Sequence, residues 1–211
     1  AILIMLALTG TAIYLLSLPQ TPSIIAGVIC GICVVVMLPG FMIIQPNNSR
    51  VLTFFGRYAG TVISNGFYWV NPLFLKSTVT LRILNLNIDP IKVNDKVGNP
   101  IMIGAVVVWR IKDTYKASFD ISGNIREFVQ IQSDAALRQV AGMYAYDTNE
   151  TIDKVTLRSD ESGEITQRLE DELNSRLAIA GIEIVEARIN YLAYASEIAS
   201  VMLRRQQADA I

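Results

Sequence analysis

The chain has 211 residues, a formal net charge of −1 and no histidine. That balance excludes an ordinary nucleic-acid binder, which needs surplus Lys and Arg to neutralise phosphates. The missing histidine removes the commonest general base, zinc ligand and pH switch in one step.

Charge is unevenly spread. The first charged residue of either sign is Arg50. So long an uncharged stretch, buried in a soluble core of this size, would leave little surface to solvate the domain. The chain opens on Ala1 rather than Met, which reads as a fragment or a processed product.

Residues 1–18 are apolar but for Thr9, Thr11, Tyr14 and Ser17, and residues 24–44 are apolar except for Pro39-Gly40. A spanning helix needs about 20 apolar residues. The second run meets this and the first is slightly short. Between them Pro19 and Pro22 end one helix and start the next. Residues 19–23 are too few to cross a bilayer, so an antiparallel hairpin is expected, with both its ends on one side. A signal peptide is the alternative for the first run, against which stands the lack of a basic leader. A shallow re-entrant wedge is the alternative for the pair, and Pro39-Gly40 suits its bend. Gly27 and Gly31 form a G-x-x-x-G pair that lets helix backbones approach. Cys30 and Cys33 are spaced as a redox pair, but they sit in an apolar run with no cation to stabilise a thiolate. They read as small membrane residues, with reversible acylation as the minor alternative. Arg50 and Arg57 follow the membrane exit before the first acid, Asp89. This favours a cytoplasmic domain.

The segment behind the membrane starts with β-type patterning. Val51 to Phe55 is a short β-prone run closed by Gly56. Asn65-Gly66 marks a turn before Phe67-Tyr68-Trp69-Val70, which Asn71-Pro72 stops. Val79, Leu81 and Ile83 alternate with polar residues as one half-buried strand. Ile91-Lys92-Val93 leads into the turn-rich residues 94–100. Residues 101–111 are nearly continuously apolar and read as a strand covered on both faces.

Near Asp120 the period changes. Ile125, Phe128, Val129, Ala136 and Val140 predict a helix over 124–143. Ile165, Leu169, Leu173 and Leu177 are spaced by four on a helix that Gly181 terminates. Residues 182–184 and 187–189 return to strand. A helix starts at Ser196 and is still running at Ile211, with Ile198, Val201 and Met202 on its apolar face and Arg204-Arg205 beyond. That face is the expected oligomerisation surface. The Arg pair reads as helix surface, with a lipid-headgroup contact as the alternative.

These residues in this order resemble a known family. Gln45-Pro46-Asn47-Asn48 after an apolar segment, then residues 55–61 (Phe-Gly-Arg-Tyr-Ala-Gly-Thr), resemble the opening of the SPFH or band 7 family. Gly66 to Pro72, Val93 to Lys96, Val106 to Arg110 and Ala135 to Arg138 are similar to its later markers. Ala195, Glu197, Ile198, Ala199, Met202 and the Arg204-Arg205-Gln206-Gln207-Ala208 run resemble the junction with its long helix. The resemblance covers roughly 39–211. It implies an α+β fold in three parts: a membrane hairpin over 1–44, an SPFH-type domain over 45–190, and over 191–211 the start of a C-terminal coiled-coil helix. In that domain a mainly antiparallel sheet carries flanking helices. It also implies a non-enzymatic membrane scaffold without cofactor or metal. Such a scaffold assembles into a ring or cage, organises a membrane microdomain and modulates a membrane protease or channel. A bacterial inner membrane is the expected location. The hairpin resembles stomatin-like wedges more than the single span of prohibitins. One departure from the family pattern is that the long coiled coil through which it usually oligomerises is absent beyond Ile211.

Two other classes remain as alternatives. A membrane hydrolase needs a nucleophile, and none sits in a G-x-S-x-G elbow. The acids Glu170, Asp171 and Glu172 read as a solvated helix face, since adjacent helical residues do not point together. A channel or transporter accessory subunit needs an ion path, and neither apolar run contains a charge.

Overall fold

The computed structural model describes residues 1–147, 156–158, 163–200 and 202. It is a mixture of helices and antiparallel sheets. The chain divides into two compact units, Ala1–Thr80 and Leu81–Ile211.

The first unit opens with α1 (Ile2–Ser17) and α2 (Thr21–Met37). The three residues between them force an antiparallel hairpin, and Pro22 sits in the first turn of α2, where its missing N–H costs nothing. The second apolar run is not helical to its end. Leu38–Gly40 tightens into a 3₁₀ turn, and Phe41–Ile44 is a strand, β1. This corrects the expectation of one apolar segment to Ile44. Pro39 cannot continue the helix, and Phe41–Ile44 finds a partner in β4 (Gly66–Trp69). A short apolar run has no period to separate strand from helix.

A second sheet has β2 (Asn48–Phe54) between β3 (Arg57–Val62) and β5 (Leu75–Thr80). The β2–β3 connection is a tight hairpin at Phe55-Gly56, both with positive φ, +46° and +81°. The strand expected across Val79–Ile83 ends at Thr80. Met42, Ile44 and Leu52 form a small core, closed by half-buried Val62, Tyr68, Val70 and Phe74.

The second unit is built on a long antiparallel sheet, β6 (Leu84–Asn94), β7 (Pro100–Ile111) and β8 (Ile182–Tyr194), with β7 central. The β6–β7 register slips between Ile88 and Ile91, where Pro90 has no N–H for the ladder. Central β7 is buried on one face only, contrary to the expectation of two covered faces. Ile101, Ile103, Ala105, Val107 and Trp109 are at most 3% exposed, while Met102, Val106 and Val108 are half-buried and Arg110 is exposed. Two helices cover the buried face. In α4 (Ile125–Ala141) the buried stripe is Val129, Ser133, Ala136, Leu137 and Val140, and Asn124 caps its N-terminus by accepting from Arg126 N at 2.9 Å. In α5 (Glu164–Leu177) it is the four residues Ile165, Leu169, Leu173 and Leu177. A one-turn 3₁₀ segment then ends at Gly181, φ +66°. A Cβ there would lie 2.6 Å from the Asp113 carbonyl oxygen, so glycine is required by both conformation and contact. A short helix, α3 (Thr114–Phe119), is capped by Asp113, which accepts from Tyr115 N and Lys116 N.

Candidate membrane-anchoring and assembly sites

The hairpin exposes what a soluble protein buries. Within α1 and α2 the buried residues are Ala12 and Gly27 alone. Leu3, Ile13, Val35 and Ile32 are each more than half exposed. Such a surface marks an interaction with something apolar. Three of the α1 hydroxyls are satisfied within the helix, as hydrocarbon favours. Thr9, Thr11 and Ser17 donate to the carbonyls of Leu6, Leu8 and Tyr14 at 2.9, 3.0 and 2.7 Å. Gly27 lies against the partner helix. A Cβ there would meet Leu16 at 2.8 Å and the Ala12 carbonyl oxygen at 3.2 Å. Gly31 faces open space, so only half of the G-x-x-x-G pair touches α1. Cys30 is half-buried and Cys33 exposed, both unbridged.

Thr21–Gly40, which is α2 plus its 3₁₀ turn, spans 20 residues and is long and apolar enough to cross a membrane. At helical rises it reaches roughly 32 Å, against a hydrocarbon core of about 30 Å. The 16 residues of α1 reach roughly 24 Å. Pro19 lies in the connection between the two.

The end of α2 is closed by side chains from the strands. Its last carbonyls have no partner within the helix. The Trp69 indole donates to the Met37 carbonyl at 3.2 Å, and the Lys76 ammonium donates to the Pro39 carbonyl. Gly40 permits the approach: a Cβ on it would lie 2.5 Å from Trp69 Nε1 and 2.6 Å from the Val70 carbonyl oxygen. Tryptophan and lysine are residues that settle at a membrane–water boundary.

One apolar feature of this unit was missed from sequence. Phe55 is 79% exposed and holds a left-handed conformation that costs a bulky residue roughly 1–2 kcal/mol. Phe54 packs edge-on to Phe55 at 4.7 Å and to Phe74 at 5.5 Å. The signal was present as Phe-Phe-Gly at a hairpin tip, where Asn-Gly or Asp-Gly is the usual pair.

The expected assembly helix is described only at its start. Residues 196–200 and Met202 are helical, and Ile198 and Met202 are half-buried. Val201, Arg204 and Arg205 lie outside the described residues. The helix start is tied to the sheet. Ala195 N donates to the Pro100 carbonyl at 3.0 Å, and Lys92 on β6 pairs with Glu197. That ammonium holds the Glu197 carboxyl below its usual range.

The α5 acids have structural partners. Glu170 accepts from Ala187 N at 3.0 Å, Asp171 from Gln167, and Glu172 pairs with Arg176 at 2.6 Å. Among the described residues no three His, Cys, Asp or Glu side chains gather as metal ligands do.

Residues 42–211 match the family model described as SPFH domain / Band 7 family. The match begins inside β1, just past the closed end of α2. None of the curated proteins matches the chain.

Proposed function

The chain belongs to the SPFH/band 7 family, and on that premise we propose that it is a non-enzymatic membrane scaffold. Its hairpin inserts in a membrane, and copies assemble side by side into a ring or cage. The ring encloses a membrane microdomain and modulates partner membrane proteins such as a protease or channel. The observation that carries this is the apolar hairpin, bare outside its own helix contact and joined to the sheet through the closed turn at Pro39-Gly40. A bacterial inner membrane with the folded units in the cytoplasm fits the basic exit segment.

Neighbours meet along the folded units and the helix that starts near Ser196. Anchoring confines all copies to two dimensions, which raises their effective concentration. A heterologous contact whose rotation closes gives a ring. The test is the mass of the detergent-extracted particle, for the wild type and for the I198D/M202D double variant. A large homo-oligomer that the double variant splits into small species supports the scaffold. A wild-type monomer overturns it, and a double variant of wild-type size removes this helix as the contact.

A further inference from the structure

Residues 1–80 contain Arg50, Arg57 and Lys76 but not one Asp or Glu. No carboxylate within this unit can neutralise a partly buried cation. Two of the three cations are nevertheless drawn together. In the β2–β5 ladder Arg50 stands opposite Thr78 and Lys76 opposite Leu52. Side chains alternate between faces along a strand, so Arg50 and Lys76 share a face as diagonal neighbours. Both are half-buried.

Together they line an open cavity of about 720 Å³, within the size range of ligand sites. Lys76 gives one of its ammonium donors to the Pro39 carbonyl. Among the described residues the Arg50 guanidinium has no hydrogen-bond acceptor. Burial first, and the Arg50 charge second, push the Lys76 ammonium below the ordinary lysine range. An anion between the two cations relieves that repulsion.

The cavity lining is both polar and apolar. It joins the two cations, Asn48 and Thr78 with the apolar side chains of Phe41, Ile43 and Phe67. Phe41 and Phe67 stack at 5.3 Å, and Ile43 and Phe67 are 66% and 57% exposed. Pro39, the point where an inserted hairpin leaves the bilayer, is on the wall. A charged head joined to an apolar chain fits this wall, whereas a free anion uses only half of it.

We propose that this cavity binds the phosphate headgroup of an anionic phospholipid, with Arg50 and Lys76 on the phosphate oxygens and acyl carbons against Phe41, Ile43 and Phe67. Arginine suits the role because its planar fork matches phosphate in a bidentate way. The site rests on the membrane reading above and adds a ligand to it. It differs from diffuse attraction of a basic segment to an anionic leaflet, since Arg57 is exposed at the Phe55-Gly56 turn and belongs to no cavity wall.

The test is native mass spectrometry of the full chain in detergent with added phosphatidylglycerol or phosphatidylcholine. The wild type retains one phosphatidylglycerol per chain. The R50Q/K76Q variant loses that adduct by about tenfold or more, while R57Q and K76R keep it. Thermal unfolding of the same samples checks that R50Q/K76Q is folded, and an unfolded pair is replaced by the single variant K76Q, for which the same loss is expected. Equal retention by wild type and by R50Q/K76Q or K76Q overturns the site, as does equal loss in R57Q or equal retention of phosphatidylcholine. Excess inorganic phosphate leaves the adduct in place if the ligand is a lipid, and full displacement by it overturns the lipid assignment. The spectra also read oligomeric mass. A monomer that retains the lipid overturns the scaffold and leaves the site standing. A ring without lipid does the reverse.

Discussion

The two units solve the same problem in opposite ways. All 19 acids of the chain lie in Leu81–Ile211, against three of its 18 cations in Ala1–Thr80. The second unit buries Ile101, Ile103, Leu137, Leu169, Leu173 and Leu177 to under 2% exposure and surrounds them with paired charge. The first buries a small cluster around Met42, Ile44 and Leu52 and leaves most of its apolar helices uncovered. Hydrophobic residues stabilise only where water is excluded. The second unit excludes water with its own helices, and in our reading the first relies on lipid. Each unit holds one of the two tryptophans, Trp69 in the first and buried Trp109 in the second, so single-tryptophan variants read them separately. Among the described residues Trp109 Nε1 has no hydrogen-bond partner, so W109F breaks no hydrogen bond, and its cost is the gap left in the core.

The largest expected effect comes from opening the water-excluding core. Leu173→Ala removes a fully buried side chain and should cost about 2–5 kcal/mol, read as a lower denaturant midpoint for Trp109 emission. Ile32→Ala on exposed α2 removes no protein contact of comparable size. In detergent it should stay within about 0.5 kcal/mol. Equal losses at the two sites would mean that the hairpin is packed within the protein, and the contrast would fail.

Next come the two glycines that fit the hairpin together. Gly40→Ala places a methyl against the Val70 carbonyl at 2.6 Å, backbone that cannot swing aside. A cost of about 1–3 kcal/mol is expected, with a red shift of Trp69 emission as its bond to Met37 breaks. Gly27→Ala meets the flexible Leu16 side chain at 2.8 Å and should cost less. Gly31→Ala, in open space, should be neutral. A cost at Gly31 equal to that at Gly27 would show a second contact on that face, as assembly in the membrane would provide.

What was legible in the sequence follows the same division. The four-residue spacing of Ile165, Leu169, Leu173 and Leu177 named a buried stripe that the structure contains whole, because one-sided burial writes a period. The uncharged start announced the hairpin for the converse reason. The strand Phe41–Ile44 was hidden, since it is as apolar as the helix before it and only its β4 partner distinguishes them. Strand β3 and helix α3 were passed over. The first is introduced by a Phe-Gly turn in place of Asn-Gly, and the second is six residues long and marked only by the Asp113 cap. The Arg50–Lys76 cavity could not be read at all, because the β2–β5 register brings the two cations together and no local pattern encodes it.

The smallest expected effect tests the comparison through acid. Glu183 on β8 accepts from Arg110 at 2.7 Å and from Lys112 at 2.8 Å. The Lys112 bond first, and the Arg110 bond second, hold its carboxyl below the ordinary value of 4.5. A carboxyl depressed in the folded state contributes stability that is present above its unfolded value and lost as pH falls through the folded one. The loss therefore lies below about pH 4.5. It is small, since both cations are largely exposed and such pairs are screened by water and salt. Glu183→Gln should shift the acid midpoint of Trp109 emission, read in a W69F background, by no more than a few tenths of a pH unit, and 1 M salt should shrink the difference further. Residues 1–80 have no carboxyl side chain to protonate. Trp69 emission, read in a W109F background, should therefore stay level over the same range. If Trp69 instead follows the Trp109 midpoint and moves with Glu183→Gln, the two units unfold as one and the division of labour between lipid and water does not hold.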